Sequence, residues 1–252
     1  SPGGSMKRQQ QQIDDLLYAE IRDRRAEGES DRTDILTLLL SARYENGESL
    51  SDEELRDQLI TLLGTAYHNT AISMTWAFYW IHYLPKVKQK LLEELEPIGE
   101  NPDPMTLFKL PYLTAVYQET LRIYPPAIFT LMRHIQEPVE IEGNKLEAGK
   151  AFGCIYLLHQ REDLYPEPKQ FKPERFLERQ FSLYEYMPFG AGIRRCIGAA
   201  LAEFEIKLVL ATILNYYQLE LADSRPVKPK LQSLSIGLNT DAVKMIMTGE
   251  RN

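Results

Sequence analysis

One of the two cysteines, Cys196, lies in the glycine-rich segment Phe189-Gly-Ala-Gly-Ile-Arg-Arg-Cys-Ile-Gly198. A helix is predicted directly after it, over residues 197–217, because apolar residues recur there at helical spacing. Backbone N–H groups and the positive end of a helix stabilise a negative charge, which favours a thiolate at this position. A thiolate can bind a metal or act as a nucleophile. The loop is therefore a candidate site for metal binding or nucleophilic chemistry.

The residues around Cys196 favour a flat ligand that carries acidic groups. Gly190, Gly192 and Gly198 allow a tight turn and a close approach of the backbone to a ligand face. Arg194 can pair with an acidic substituent. Haem has both features, a flat face and propionates. The other cysteine, Cys154, is expected to be a small buried hydrophobic residue.

The cysteine segment resembles the haem-binding loop of cytochrome P450, with the pattern Phe-x-x-Gly-x-Arg-x-Cys-x-Gly matched at every fixed position. The resemblance implies that haem b (iron protoporphyrin IX) is the cofactor and that Cys196 is the iron ligand. It also implies a set of cofactor-binding residues, which are Phe189, Gly192, Arg194, Gly198, Arg133 and Ala66. Within that set, Arg133 and Arg194 are expected to bind the propionates.

Two further segments resemble the family's motifs and follow in the family's order. Glu119-Thr-Leu-Arg122 is similar to its Glu-x-x-Arg helix motif, and Phe171-Lys-Pro-Glu-Arg-Phe176 is similar to the segment whose arginine completes a triad. A Glu/Arg pair at i and i+3 is by itself usually a solvated contact worth little. The resemblance implies instead that Glu119, Arg122 and Arg175 form a structural triad behind the haem. Ala202 and Glu205 match the helix that follows the cysteine.

The long predicted helix carries Ala66-Tyr67-His68-Asn69-Thr70 where the family has Ala-Gly-x-acid-Thr on the distal haem face. The resemblance implies catalytic positions at Thr70, at Asn69 in the place of the acid, and at Tyr67 in the place of the glycine. Asn69 cannot ionise, so proton delivery is expected to be weak. Tyr67 either crowds the iron's open side or turns into the core. His68 matches a variable position and is expected to be structural.

The chain of 252 residues is about half as long as members of the family, which implies that the helices covering the substrate are missing. Apolar surface should then be exposed, and a homodimer or a partner chain is expected to cover it. The net charge of −7, without a cluster of Lys and Arg, argues against nucleic-acid binding. No apolar run is long enough for a membrane span, and a cytoplasmic location is expected from the cysteine content. Residues 1–5 have the composition of an expression-tag remnant, which leaves 6–252 as a single truncated domain.

Periodicity and turn residues predict a mainly α protein with a minor β-sheet, which matches the C-terminal half of the cytochrome P450 fold. An N-cap at Ser51-Asp-Glu-Glu54 begins the long helix, and Pro85 ends it near Tyr83. Predicted helices cover 9–25, 34–41, 51–83, 86–96, 112–124 and 197–217. Predicted strands cover 139–143 and 151–156, and the tail after residue 217 is also strand-like.

Two functions follow from these features. The first is a haem-thiolate monooxygenase that inserts oxygen into an apolar small molecule with electrons from a redox partner, and whose activity is impaired in this truncated chain. The second is a non-catalytic haem-binding or interaction module derived from the same fold. Asn69, Tyr67 and the short length favour the second.

Overall fold

The computed structural model describes residues 2–28, 31–99, 101–232, 235–238 and 242–251. The chain forms two compact units, Ser1–His68 and Asn69–Asn252. Among the described residues, no helix combines the length and the apolar character that crossing a membrane requires. The single-domain organisation suggested by the sequence stays a prediction.

The first unit contains α1 (Pro2–Glu27), α2 (Ile35–Ser41) and the beginning of α3 (Asp52–Tyr83). A small apolar cluster holds them, in which Ile21, Leu36 and Leu55 are buried. Helix α1 begins well before the predicted start at residue 9 and includes described residues that the sequence suggested to be a tag remnant; Ser1 lies outside the described residues.

The predicted start of α3 is confirmed by a reciprocal cap. The Glu54 backbone N–H donates to Ser51 Oγ (3.2 Å), and the Ser51 backbone N–H donates to Glu54 Oε2 (2.8 Å). These two bonds satisfy N–H groups that a helix start leaves without partners. The helix then runs to Tyr83, because Pro85 opens the next helix.

The second unit is built around helices, most of which contribute side chains to one large apolar cluster. After α3 they are α4 (Pro85–Leu95), α5 (Pro104–Phe108), α6 (Pro111–Ile123), α7 (Ile155–His159), α8 (Arg175–Glu178) and α9 (Ala199–Tyr216), with 3-10 turns at Glu96–Ile98 and Gly192–Arg194. Helix α6 is the most buried of them, and α4, α8 and α9 all contact it. It therefore forms the centre of this unit.

The strands of the second unit form antiparallel pairs around the helices. The described pairs are β1 (Arg133–Ile135) with β4 (Gly149–Ala151), β2 (Val139–Ile141) with β3 (Asn144–Leu146), β5 (Tyr217–Leu221) with β8 (Met245–Glu250), and β6 (Lys230–Gln232) with β7 (Ser235–Gly237). The predicted strand near residue 139 and the strand-like tail are thus confirmed.

The predicted strand over 151–156 is wrong beyond its first residue. Strand β4 ends at Ala151, and α7 begins at Ile155, where the Leu158 N–H donates to the Cys154 carbonyl (3.1 Å). A short apolar run does not distinguish strand from helix, and Cys154 forms an isolated bridge with Phe129 before the helix begins. Cys154 is half-buried beside Phe129 rather than fully buried.

Candidate site at the cysteine loop

The segment 189–198 folds back on itself through its own backbone. The Cys196 N–H donates to the Phe189 carbonyl (2.9 Å), and the Gly190 N–H donates to the Met187 carbonyl (2.9 Å). Gly190 and Gly192 have φ values of 71° and 69°. Residues with a Cβ rarely adopt this left-handed region, so these glycines make the turn possible.

Cys196 is a free, exposed thiol in this loop. The apolar side chains of Ile193 and Ile197 beside it are 102% and 90% exposed. A Cβ placed on Gly192 would meet no atom within 4 Å. The loop therefore presents a thiol and apolar side chains on an open face, which is the kind of surface that a ligand covers.

The chemistry of this face fits haem. Within the described residues, no group of three His, Cys, Asp or Glu side chains could hold a metal ion. A single exposed cysteine thiolate is a protein ligand that can hold haem iron. The exposed side chains of Ile193 and Ile197 would offer apolar contacts to such a cofactor. Arg194 is exposed and, in the described part of the chain, makes no side-chain hydrogen bond or ion pair, so it can bind a propionate.

Arg133, the other residue expected at a propionate, opens strand β1 and is exposed. Its Nη1 donates to the Leu131 carbonyl (3.0 Å). This local bond leaves other guanidinium N–H groups available, because arginine carries five donors. Its role at a propionate stays a prediction.

The structure brings together the residues of the expected triad in the interior of the second unit. Glu119 Oε2 accepts from Arg122 Nε (2.6 Å), and Glu119 Oε1 accepts from Arg175 Nε (3.1 Å). Glu119 and Arg122 are 0% exposed, and Arg175 is 9% exposed. The bidentate contact from Arg122 to Glu119 is completed by Nη2 (2.8 Å). Buried, hydrogen-bonded charges of this kind are strongly coupled.

The distal positions expected from the sequence lie on α3. Ala66 and Tyr67 belong to the first unit, and Asn69 and Thr70 belong to the second. Tyr67 is 80% exposed, so its ring does not pack into a core. Asn69 is exposed and Thr70 is half-buried. On α9, Ala202 is half-buried and Glu205 is exposed.

Two side chains near the loop were not singled out by the sequence. Tyr117 on α6 is 3% exposed, and its hydroxyl has no hydrogen-bond partner among the described residues. Burial, and then the charges of Glu203 and Cys196, raise the pKa of this phenol. His159 is fully buried at the end of α7. Neither position carries a sequence signal, because isolated aromatic residues are common in helices.

Comparison with known proteins places these features in one family. The family model described as Cytochrome P450 matches residues 3–247. The chain belongs to the cytochrome P450 family. This match covers nearly the whole chain, including the cysteine loop, the Glu119-x-x-Arg122 helix and α3.

Mycobacterial proteins are among the similar members of the family. Cytochrome P450 135B1 of Mycobacterium tuberculosis is 37% identical over 235 residues, which are 90% of this chain and 48% of that protein. Cytochrome P450 137 of the same species is 36% identical over 227 residues, which are 89% of this chain and 45% of that protein. The chain thus spans about half the length of the curated relatives it matches.

A solved cytochrome P450 shares the fold. The structure of retinoic acid-bound cyanobacterial CYP120A1 matches with a TM-score of 0.85 and 25% identity, over 97% of this chain and 57% of that one. The predicted fold class, mainly helical with a minor sheet and corresponding to part of the cytochrome P450 fold, is therefore confirmed.

Proposed function

We propose that this chain is the C-terminal half of a haem-thiolate monooxygenase and that it holds haem b through Cys196. The observation that carries the proposal is the open, apolar face around an exposed thiol, in a loop that matches the family's cysteine motif. Bound haem with a thiolate ligand supplies oxygen activation, because the thiolate pushes electron density to iron and favours O–O cleavage.

The residues of this chain have separate tasks in the proposal. Cys196 would hold the iron, and the turn made by Gly190 and Gly192 would let the backbone approach the cofactor. Arg194 and Arg133 bind the propionates through charge-assisted hydrogen bonds. The buried triad of Glu119, Arg122 and Arg175 keeps the interior behind the loop in place.

The distal residues of α3 manage protons and space in this proposal. The Thr70 hydroxyl can donate and accept a hydrogen bond, and so can the Asn69 amide, but neither ionises near neutral pH. A positioned acid or base contributes roughly 100-fold to 10,000-fold in rate, so proton delivery should be slow here. We therefore expect oxygenation driven by a reductase to be impaired in this chain.

The proposed substrate is an apolar small molecule, and the proposed electron source is a redox partner protein. The fold relative was solved with retinoic acid bound, which supports a substrate with a large apolar part. We also propose a cytoplasmic location, supported by the cysteines Cys154 and Cys196, which are both free.

The test is the absorption spectrum of the chain after loading with haem, with and without carbon monoxide on the reduced protein. We expect a thiolate-type carbonyl band that disappears in Cys196→Ala and persists in the matched control Cys154→Ala. Helical content should survive in both variants, because the apolar cluster of the second unit is built without either cysteine. An unchanged thiolate-type Soret band in Cys196→Ala would contradict the assignment.

Turnover with a surrogate oxidant separates the two candidate functions. Such an oxidant bypasses both the proton relay and the redox partner. Oxygenation under these conditions supports the monooxygenase. A thiolate-ligated haem without any turnover supports the non-catalytic haem-binding module, which Asn69 favours.

A further inference from the structure

His159 links the buried triad to the segment that leads into the cysteine loop. Its carbonyl accepts a hydrogen bond from Arg122 Nη1 (2.8 Å). Its ring atom Nε2 lies 3.1 Å from the Met187 backbone nitrogen and accepts that N–H. One residue thus contacts a triad arginine through its backbone and the loop entrance through its side chain.

The hydrogen bonds continue from Met187 to the thiol-bearing residue. The Met187 carbonyl accepts from the Gly190 N–H, and the Phe189 carbonyl accepts from the Cys196 N–H, both at 2.9 Å. The backbone that presents Cys196 is therefore anchored at its entrance by His159. A shift at Met187 would be passed on to Cys196 through these bonds.

Aromatic contacts fix the orientation of the His159 ring. It stacks on Tyr186 with ring centroids 5.5 Å apart and an interplanar angle of 21°, and it meets Tyr165 edge-on at 6.1 Å. The Tyr186 hydroxyl donates to the Gln118 carbonyl of α6 (3.0 Å). A ring held on two sides cannot turn its Nε2 away from Met187 without breaking these contacts.

The protonation state of the His159 ring allows Nε2 to accept a hydrogen bond. Burial, and then the positive charge of Arg122, lower the pKa of His159 to about 3, so the ring is neutral near pH 7. In a neutral imidazole that accepts at Nε2, the proton is on Nδ1. Nδ1 is buried and has no partner among the described residues. Packing alone would be served better by an apolar ring such as phenylalanine, so the bond made by Nε2 accounts for the histidine.

We infer that His159 is a positioning residue whose Nε2 fixes the entrance of the cysteine loop and thereby the place of Cys196. The importance of the position of Cys196 rests on the proposed function, in which Cys196 is the iron ligand. The hydrogen bond itself belongs to the protein with or without cofactor, so it can be tested separately.

The first experiment uses the unaltered chain, both haem-free and haem-loaded. Histidine ¹⁵N NMR is expected to show His159 as the neutral Nδ1–H tautomer, and hydrogen exchange is expected to show a protected Met187 amide. An Nε2–H tautomer, or a Met187 amide that exchanges as fast as an exposed one, would overturn the inference. If the chain fails to bind haem but shows both signals, the proposed function fails and the role of His159 stands.

The second experiment compares His159→Phe with His159→Gln. Phenylalanine keeps the ring contacts and removes the acceptor, so we expect the Met187 and Cys196 amides to exchange about tenfold faster, which corresponds to about 1.4 kcal/mol. Glutamine offers a carbonyl oxygen near the place of Nε2 and should restore most of the protection. In haem-loaded protein, His159→Phe should move the carbonyl band away from the thiolate type, and His159→Gln should not.

The matched control is His134→Phe, because His134 is exposed on β1 and should leave these readouts unchanged. Exchange in His159→Phe that equals the parent, or a His159→Gln variant as perturbed as His159→Phe, would refute the positioning role. If His159→Phe does not fold, the tautomer and the Met187 amide of the unaltered chain still decide.

Discussion

The substitution Glu119→Gln removes the only negative charge of the buried triad while keeping the shape of the side chain. In the parent, Glu119 accepts from Arg122 at both oxygens and from Arg175 and the Lys172 N–H at Oε1. Glutamine keeps one acceptor and turns N–H groups toward guanidinium donors. The positive charges of Arg122 and Arg175 then remain in the interior without a counter-charge.

The expected loss of folding stability is large because Arg122 and Arg175, the two partners of Glu119, are buried. Arg122 retains the His159 carbonyl (2.8 Å), and Arg175 retains the Pro166 carbonyl (3.2 Å), so neither arginine loses all of its acceptors. Carbonyl groups do not neutralise charge, and removing one member of a buried ion pair costs about 3–5 kcal/mol. That is a large share of the roughly 5–15 kcal/mol by which a domain is stable. The melting temperature should fall by about 6–20 °C for a chain of this size.

Tryptophan fluorescence reports this loss selectively, because both tryptophans, Trp76 and Trp80, belong to the second unit together with Glu119. Trp80 stacks on Phe171 of the triad segment at 5.0 Å. The matched control is Glu147→Gln, whose partner Lys145 and own side chain are 68% and 69% exposed, and which should change stability by less than about 1 kcal/mol. A melting temperature of Glu119→Gln equal to that of Glu147→Gln would refute the reasoning.

The remaining predictions concern a helix cap, pH, the distal helix and association. Glu94 accepts hydrogen bonds from the Tyr112 and Leu113 N–H groups at the start of α6 (2.6 and 2.8 Å). Glu94→Gln should therefore lower the free energy of unfolding in urea by about 0.5–2 kcal/mol, and the neighbouring Glu93→Gln is the control. Burial lowers the pKa of His159 to about 3 and that of His82 to about 4, so the unfolded chain binds protons at these residues at a higher pH than the folded chain does. The free energy of unfolding should therefore fall as the pH drops from about 6.5 toward 4, and it should fall less steeply in His159→Gln. The double variant Tyr67→Gly with Asn69→Glu should bind carbon monoxide more tightly than the parent after haem loading and regain some reductase-driven turnover; unchanged carbon monoxide affinity would mean that Tyr67 does not face the iron. Exposed apolar side chains predict self-association, which a compact monomer in light scattering at about 10 µM or more would contradict.

Local chemistry in the sequence was enough to identify the cysteine loop and most helices. The glycines around Cys196, the Ser51-to-Glu54 cap and the stop at Pro85 act over a few residues, so their types and spacing carry the information. The predicted helix over 51–83 agrees closely with α3. The order of the motifs, which is that of the family, then predicted the contact between Glu119 and Arg175. These residues are 56 positions apart and show no local signal for pairing.

Tertiary structure alone decided which distant groups complete these local features. The Nε2 bond of His159 spans 28 residues to Met187, and Glu94 reaches 18 residues to the start of α6. Neither contact leaves a periodic trace, because it depends on how α4, α6 and α7 pack. The segment after Ala151 forms α7 for the same reason. Its apolar run is compatible with a strand or a helix, and the Ile155 N–H donates to the carbonyl of Ile128, which is distant in the sequence. Burial, which no single stretch of sequence specifies, is what keeps His159 neutral and able to accept the loop's hydrogen bond.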